Sequence, residues 1–145
     1  METSRSSALG IFVRTLVLLI ILSILLVVFS TRLWIDIPIG YGFVVGDLIV
    51  VALAIMIIMK LESIVAPLAS IISQELHFNV QKVGMILLYM VRFISLAIAY
   101  YSFKRIYVLL AVRILSPDHI LVIYDAVFVV LAAYLVYSLV KSFTG

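Results

Sequence analysis

Residues 83–101, VGMILLYMVRFISLAIAYY, decide how this chain is read: an apolar run carrying one charge, Arg92, at its midpoint. As a helix the run is about 28 Å long, close to the roughly 30 Å hydrocarbon layer of a bilayer. A guanidinium at bilayer depth costs several kcal/mol unless it faces a cavity or meets a carboxylate. Arg92 therefore needs a partner, and the rest of the chain is searched for one.

Three similar runs accompany it. The expected spans are about 15–30, 40–59, 83–101 and 120–140, in a chain of 145 residues that is 67% hydrophobic with a mean hydropathy of +1.39. A soluble domain is roughly half apolar, and in lipid only helices or closed barrels satisfy the backbone. Period-two alternation is absent, so the fold class is all-α: an integral membrane four-helix bundle forming one transmembrane domain, with the lipid bilayer as its first partner.

Ten Lys and Arg against seven Asp and Glu give a formal charge of +3, but the basic residues are scattered between apolar runs, Lys104 and Arg105 among them. That is the pattern of membrane-flank anchors and argues against a nucleic-acid partner. With zero cysteines, disulfides, thiolate metal sites and cysteine nucleophiles are excluded.

The first run, Leu16 to Phe29, follows Arg5 and Arg14. It reads as a retained helix rather than a cleaved signal peptide, because Val28-Phe29-Ser30 lacks the Ala-x-Ala pattern. Arg32 and Trp34 mark an interface, and Asp36, Pro38 and Gly40 a turn. The second run opens with Gly42-Phe-Val-Val-Gly46, a G-x-x-x-G that lets another helix approach closely and suggests a homo-oligomer or a partner in a membrane complex.

After Lys60 the apolar positions Leu61, Ile64, Val65, Leu68, Ile71 and Ile72 recur at helical spacing among polar residues. Pro67 should bend or restart this amphipathic helix, so that it lies along the interface. Beyond Tyr100 and Tyr101, the segment from Ile106 to Leu115 reads as interfacial, or as a helical extension outside the membrane. Ser116-Pro117-Asp118 is a helix start, with Ser as N-cap and Pro at the first helical position. Four spans put both termini on one side, and the balance of positive charge favours the cytoplasm for them.

Depth selects the candidate partners of Arg92. Asp47 and Asp125 lie about 8–10 Å inside spans two and four, and Arg92 about 14 Å from either face. The offset is within reach of an extended arginine, so Arg92 is expected to meet Asp47, Asp125 or both. Two readings stay open: a proton, ion or anion site at Arg92, or an Arg–Asp clamp that fixes helix order. His77 and His119 fall in connections on opposite faces and read as interfacial residues, and Glu75 with His77 is too small a set for zinc. Tyr100, Tyr101, Tyr107 and Tyr137 read as an aromatic belt. No metal or cofactor is expected, and without a phosphate-cradling loop, nucleophile elbow or H-E-x-x-H motif neither is an enzyme.

Glu62, the amphipathic stretch, His77-Phe78, Arg92 and Ser116-Pro117 together resemble the phosphate-starvation-inducible E (PsiE) family of small four-helix membrane proteins. Glu62 and Arg92 each stand fifteen residues from His77, close to the family's spacing, and the resemblance runs from about Tyr41 to Val140. Two departures are visible: the segment between Arg92 and Ser116 is longer, and Phe93-Ile94 follows Arg92 where the family often has a second basic residue. The resemblance implies a plasma-membrane sensor or accessory component in phosphate starvation, with Glu62, His77 and Arg92 as its positions. A small ion, proton or anion transporter subunit using Arg92 with Asp47 and Asp125, and a structural subunit of a larger membrane complex, are the alternatives.

Overall fold

The computed structural model describes residues 2–31, 37–77 and 79–144, with the side chains of residues 2–5 set aside. Arg32, Trp34, Asp36 and Phe78, and the side chain of Arg5, therefore lie outside the described residues. Apart from the connections, the described residues are helical but for one short hairpin: α1 (Glu2–Ser30), β1 (Pro38–Gly40), β2 (Phe43–Val44), α2 (Val45–Ser63), α3 (Val65–Leu76), α4 (Val80–Ala111) and α5 (Pro117–Thr144). Among the described residues, four helical stretches are long and apolar enough to cross a membrane: Ser6–Ser30, Val45–Leu76, Val80–Ala111 and Pro117–Thr144.

A two-stranded hairpin replaces the expected helical start of the second run. Gly40, Tyr41 and Gly42 all take positive φ, at 113°, 59° and 86°, and the strands pair antiparallel across them. Gly42 thus belongs to a turn. The expectation that Gly42 and Gly46 form one helix-packing face fails, because α2 begins only at Val45 and leaves Gly46 alone in its first turn. The sequence cue was Pro38 and Gly40, whose preference for turns extends through Gly42.

α1 and α2 share the main core. Leu19 and Leu22 are buried with Leu53, Ile57 and Ile64, and Phe12, Leu26, Phe29, Ile49 and Leu61 close around them. The α1 residues recur every three, four or seven positions, which places them on one helix face. α2 stops at Ser63, the residue whose carbonyl would accept a bond from the missing N–H of Pro67. Ile64 interrupts the helix while keeping right-handed backbone angles (φ −82°, ψ −17°), and α3 restarts at Val65, so the restart expected from Pro67 occurs just before the proline itself.

α3 then packs on α1 and α4 and touches α2 little. Gly84 of α4 permits this approach: a Cβ there would lie 3.6 Å from the Cβ of Ala69. His77, in the left-handed conformation (φ 56°), ends α3. Asn79 opens α4, its side-chain oxygen accepting from the Gln81 N–H at 2.8 Å.

α4 is one unbroken helix of 32 residues, so residues 106–111 form its last turns. It is also the hub, packing on α2, α3 and α5, whereas α5 packs chiefly on α4. Ser116 stands just before α5 as expected, and its hydroxyl meets Nδ1 of His119 at 2.5 Å.

Candidate functional site

The α2–α4 contact carries two ion pairs at different heights. The first is tight. Asp47, in the first turn of α2, has a side chain only 7% exposed, and its Oδ1 lies 3.0 Å from Nε of Arg105. Its Oδ2 accepts from the Val44 N–H at 3.1 Å, so one carboxylate both caps α2 and holds α4.

The second pair is open. Nε of Arg92 lies 3.8 Å from Oε1 of Glu62, with side chains 42% and 55% exposed. The Arg92 guanidinium also stands over the Tyr89 ring at 5.6 Å, and the Tyr89 hydroxyl meets Ser138 Oγ of α5 at 2.8 Å. Thirteen residues of α4 separate Arg92 from Arg105, about 20 Å along the helix.

That distance is why Arg92 meets neither Asp47 nor Asp125. The expected depths assumed that span two begins near Gly40 and span three at Val83; with α2 starting at Val45 and α4 at Val80, Asp47 moves toward one end of the bundle and Arg92 toward the other. Arg105, read from sequence as a membrane-flank residue beside Lys104, is the partner that Asp47 takes. Asp125 accepts instead from the Tyr100 hydroxyl at 2.8 Å.

Tyr100 joins a further cluster. Lys104 Nζ reaches its hydroxyl at 3.4 Å, so a chain runs from Lys104 through Tyr100 to Asp125. The Tyr124 hydroxyl donates to the Tyr100 carbonyl at 2.6 Å. The rings of Tyr100, Tyr107, Tyr124 and Phe128 pack at centroid distances of 4.8–5.3 Å. Tyr100 and Tyr107 are thus part of the α4–α5 contact rather than an aromatic belt, while Tyr101 and Tyr137 remain exposed. Tyr107 Oη is buried with no hydrogen-bond partner among the described residues.

The hairpin closes this end of the molecule. Arg113 lies over the Tyr41 ring at 4.2 Å, and a Cβ on Gly42 would meet Leu109 Cδ2 at 3.3 Å. Of the three positions suggested by the PsiE resemblance, the fold brings Glu62 and Arg92 together and leaves His77 at the α3–α4 turn, before the start of α4, which is about 18 Å along the helix from Arg92.

No family model, curated protein or solved structure matches this chain. The resemblance therefore rests on the sequence positions that carry it.

Between the two ion pairs, α2 buries Leu53, Ala54 and Ile57. Leu26 and Ser30 of α1, Val50 of α2 and Ile94, Ala97 and Tyr101 of α4 border an open, mainly apolar groove of about 520 Å³. α3 packs between α1 and α4 at their opposite ends. The two α2–α4 ion pairs thus lie at separate levels, one built on a buried carboxylate and one open.

Proposed function

We propose that the chain is a multi-pass membrane protein without enzymatic activity, a sensor or accessory component of the PsiE type, acting in the plasma membrane with both termini cytoplasmic. One observation carries the proposal: Glu62 and Arg92, the two charged positions carried over from the family, meet across α2 and α4 at an exposed level. A pair whose side chains are about half exposed can exchange its carboxylate for another anion. A pair locked inside the bundle cannot.

The helix lengths support a placement in the bilayer. α4 is about 48 Å long against a hydrocarbon layer of about 30 Å. A layer reaching from the level of Lys60, Glu62 and Arg92 to the end of α4 spans about 28 Å. It leaves α3 and the first three turns of α4, about 18 Å of helix, beyond the hydrocarbon on the side of the termini. The tight Asp47–Arg105 pair then lies about 9 Å inside the layer, where a lone charge is costly, and the loose Glu62–Arg92 pair lies at its edge.

Transport through the monomer draws less support, because the constellation on which it rested is divided: Asp47 belongs to Arg105 and Asp125 to Tyr100. The test is growth of a deletion strain under phosphate limitation, complemented with the wild-type chain or with Arg92→Gln. A defect confined to low phosphate, rescued by wild type and not by Arg92→Gln at equal membrane abundance, supports the reading. Growth indistinguishable from the parent at every phosphate level refutes it.

A further inference from the structure

The outer face of α2 carries a regular stripe that no helix of the monomer covers. Leu48, Ala52, Ile55, Met59 and Glu62 succeed one another at intervals of four, three, four and three residues, and all five are exposed. Leu48, Ile55 and Met59 are exposed by 54%, 45% and 68%. Alternating steps of three and four make the seam of a left-handed coiled coil, the commonest packing among membrane helices. α2 uses its other faces for α1 and α4.

Exposed apolar residues alone carry no information in lipid, which is as apolar as leucine. The charged end of the stripe does. Glu62 and Arg92 stand side by side on antiparallel helices at nearly equal height, since each lies fifteen residues from His77. A two-fold axis along the membrane normal leaves height unchanged and exchanges left for right. It therefore sets Glu62 of one copy against Arg92 of the other, and the reverse. Arg92 has the capacity for this second carboxylate, because a guanidinium carries five N–H donors and its 3.8 Å approach to Glu62 at Nε is too long for a hydrogen bond.

We propose that the partner of this face is a second copy of the chain: a parallel dimer zipped along Leu48, Ala52, Ile55 and Met59 and closed by reciprocal Glu62–Arg92 pairs. The proposal rests on the membrane reading above and replaces the glycine motif as the assembly surface. An isologous seam of this kind brings Leu48, Ala52, Ile55 and Met59 each near its own copy across the axis, while Glu62, at the stripe edge toward α4, faces Arg92 of the other copy.

The native sequence has no cysteine, so a single introduced cysteine reports one contact. Ala52→Cys, Ile55→Cys and Met59→Cys are oxidised in native membranes and compared with Ile24→Cys on α1 and Val129→Cys on α5, whose native side chains are exposed by 58% and 67%. The expected result is a disulfide-linked dimer at the three α2 positions, at least about tenfold more abundant than at the two controls, because bridging needs Cα atoms within roughly 7 Å. Equal cross-linking at all five positions, or none at the α2 positions, overturns the proposal.

A second measurement separates contacts between copies from contacts within one. In the Ile55→Cys background, Glu62→Arg or Arg92→Glu alone should lower the dimer yield about tenfold, since each brings like charges together. Co-expressed and carrying different tags, the two variants should cross-link to each other at near the parental yield. Absence of this rescue in trans overturns the proposal even if the α2 cysteines cross-link. Release of the wild-type chain by alkaline carbonate would instead refute the membrane reading itself, so the two failures are distinguishable.

Discussion

Replacing Arg105 with Met strips the partner from Asp47, the most deeply buried charge described in the fold at 7% exposure. Removing one member of a buried pair typically costs 3–5 kcal/mol, because the remaining charge is desolvated without compensation. Here the Val44 N–H still donates to Oδ2 of Asp47, a charge-assisted bond that retains part of the stabilisation, and Arg105 is itself 34% exposed. The expected loss is about 2–4 kcal/mol. In a chain of this size that corresponds to a fall of roughly 4–16 °C in thermal midpoint. The assay is a double-mutant cycle in mild detergent, following the monodisperse fraction by size exclusion after heating. Asp47→Leu with Arg105→Met should recover at least half of the loss, because no charge is left without its partner. Lys60→Met, which removes an exposed cation, should change the midpoint little. If Arg105→Met is no worse than Lys60→Met, or if the double variant loses the sum of the single losses, Asp47 and Arg105 are not coupled and the buried clamp is refuted.

Gly42→Ala should destabilise by about 1–2 kcal/mol, since φ of 86° is strained for an L side chain and the new methyl meets Leu109 at 3.3 Å; Gly10→Ala, inside α1 with open space around it, should be neutral or stabilising by up to about 1 kcal/mol in the same thermal assay. Tyr107→Phe removes a buried hydroxyl that has no hydrogen-bond partner and should leave stability unchanged or raised, whereas Tyr124→Phe removes the donor to the Tyr100 carbonyl and should cost about 0.5–1.5 kcal/mol. Gly84→Ala should be tolerated because its methyl would sit in ordinary contact with Ala69, and Gly84→Leu should push α3 off α4 at a cost of about 1–3 kcal/mol, read as faster proteolysis of the α3 segment.

The helices were legible because hydropathy reports them directly: a run long enough to span lipid has few alternatives to a helix. The amphipathic stretch was legible too, and Pro67 marked the break between α2 and α3, though the helix is interrupted at Ile64 because the proline disables the carbonyl four residues earlier. What misled was Gly42-Phe-Val-Val-Gly46. Spacing alone cannot distinguish two glycines on one helix face from a turn glycine followed by a helical one, and the decision lay in Pro38 and Gly40 in front of them. The hairpin is short and local, and nothing in the apolar pattern announces it.

The charged residues illustrate a different limit. Depth from a membrane face assigns Arg92 to Asp47 or Asp125, but depth depends on helix starts, which sequence places poorly, and errors at the ends of two antiparallel helices add. Distance from the connecting turn is the better coordinate. In a helical hairpin, residues equally far from the turn lie side by side, whatever the position of the lipid. Glu62 and Arg92 are each fifteen residues from His77, and Asp47 and Arg105 are thirty and twenty-eight residues from it, so both observed pairs follow from one rule. The equal spacing about His77 was visible in the sequence as a feature of the PsiE resemblance. Its physical content is that the turn sets the register in which α4 lies against α2 and α3, and that this register holds from Gly84 opposite Ala69 to Arg105 opposite Asp47.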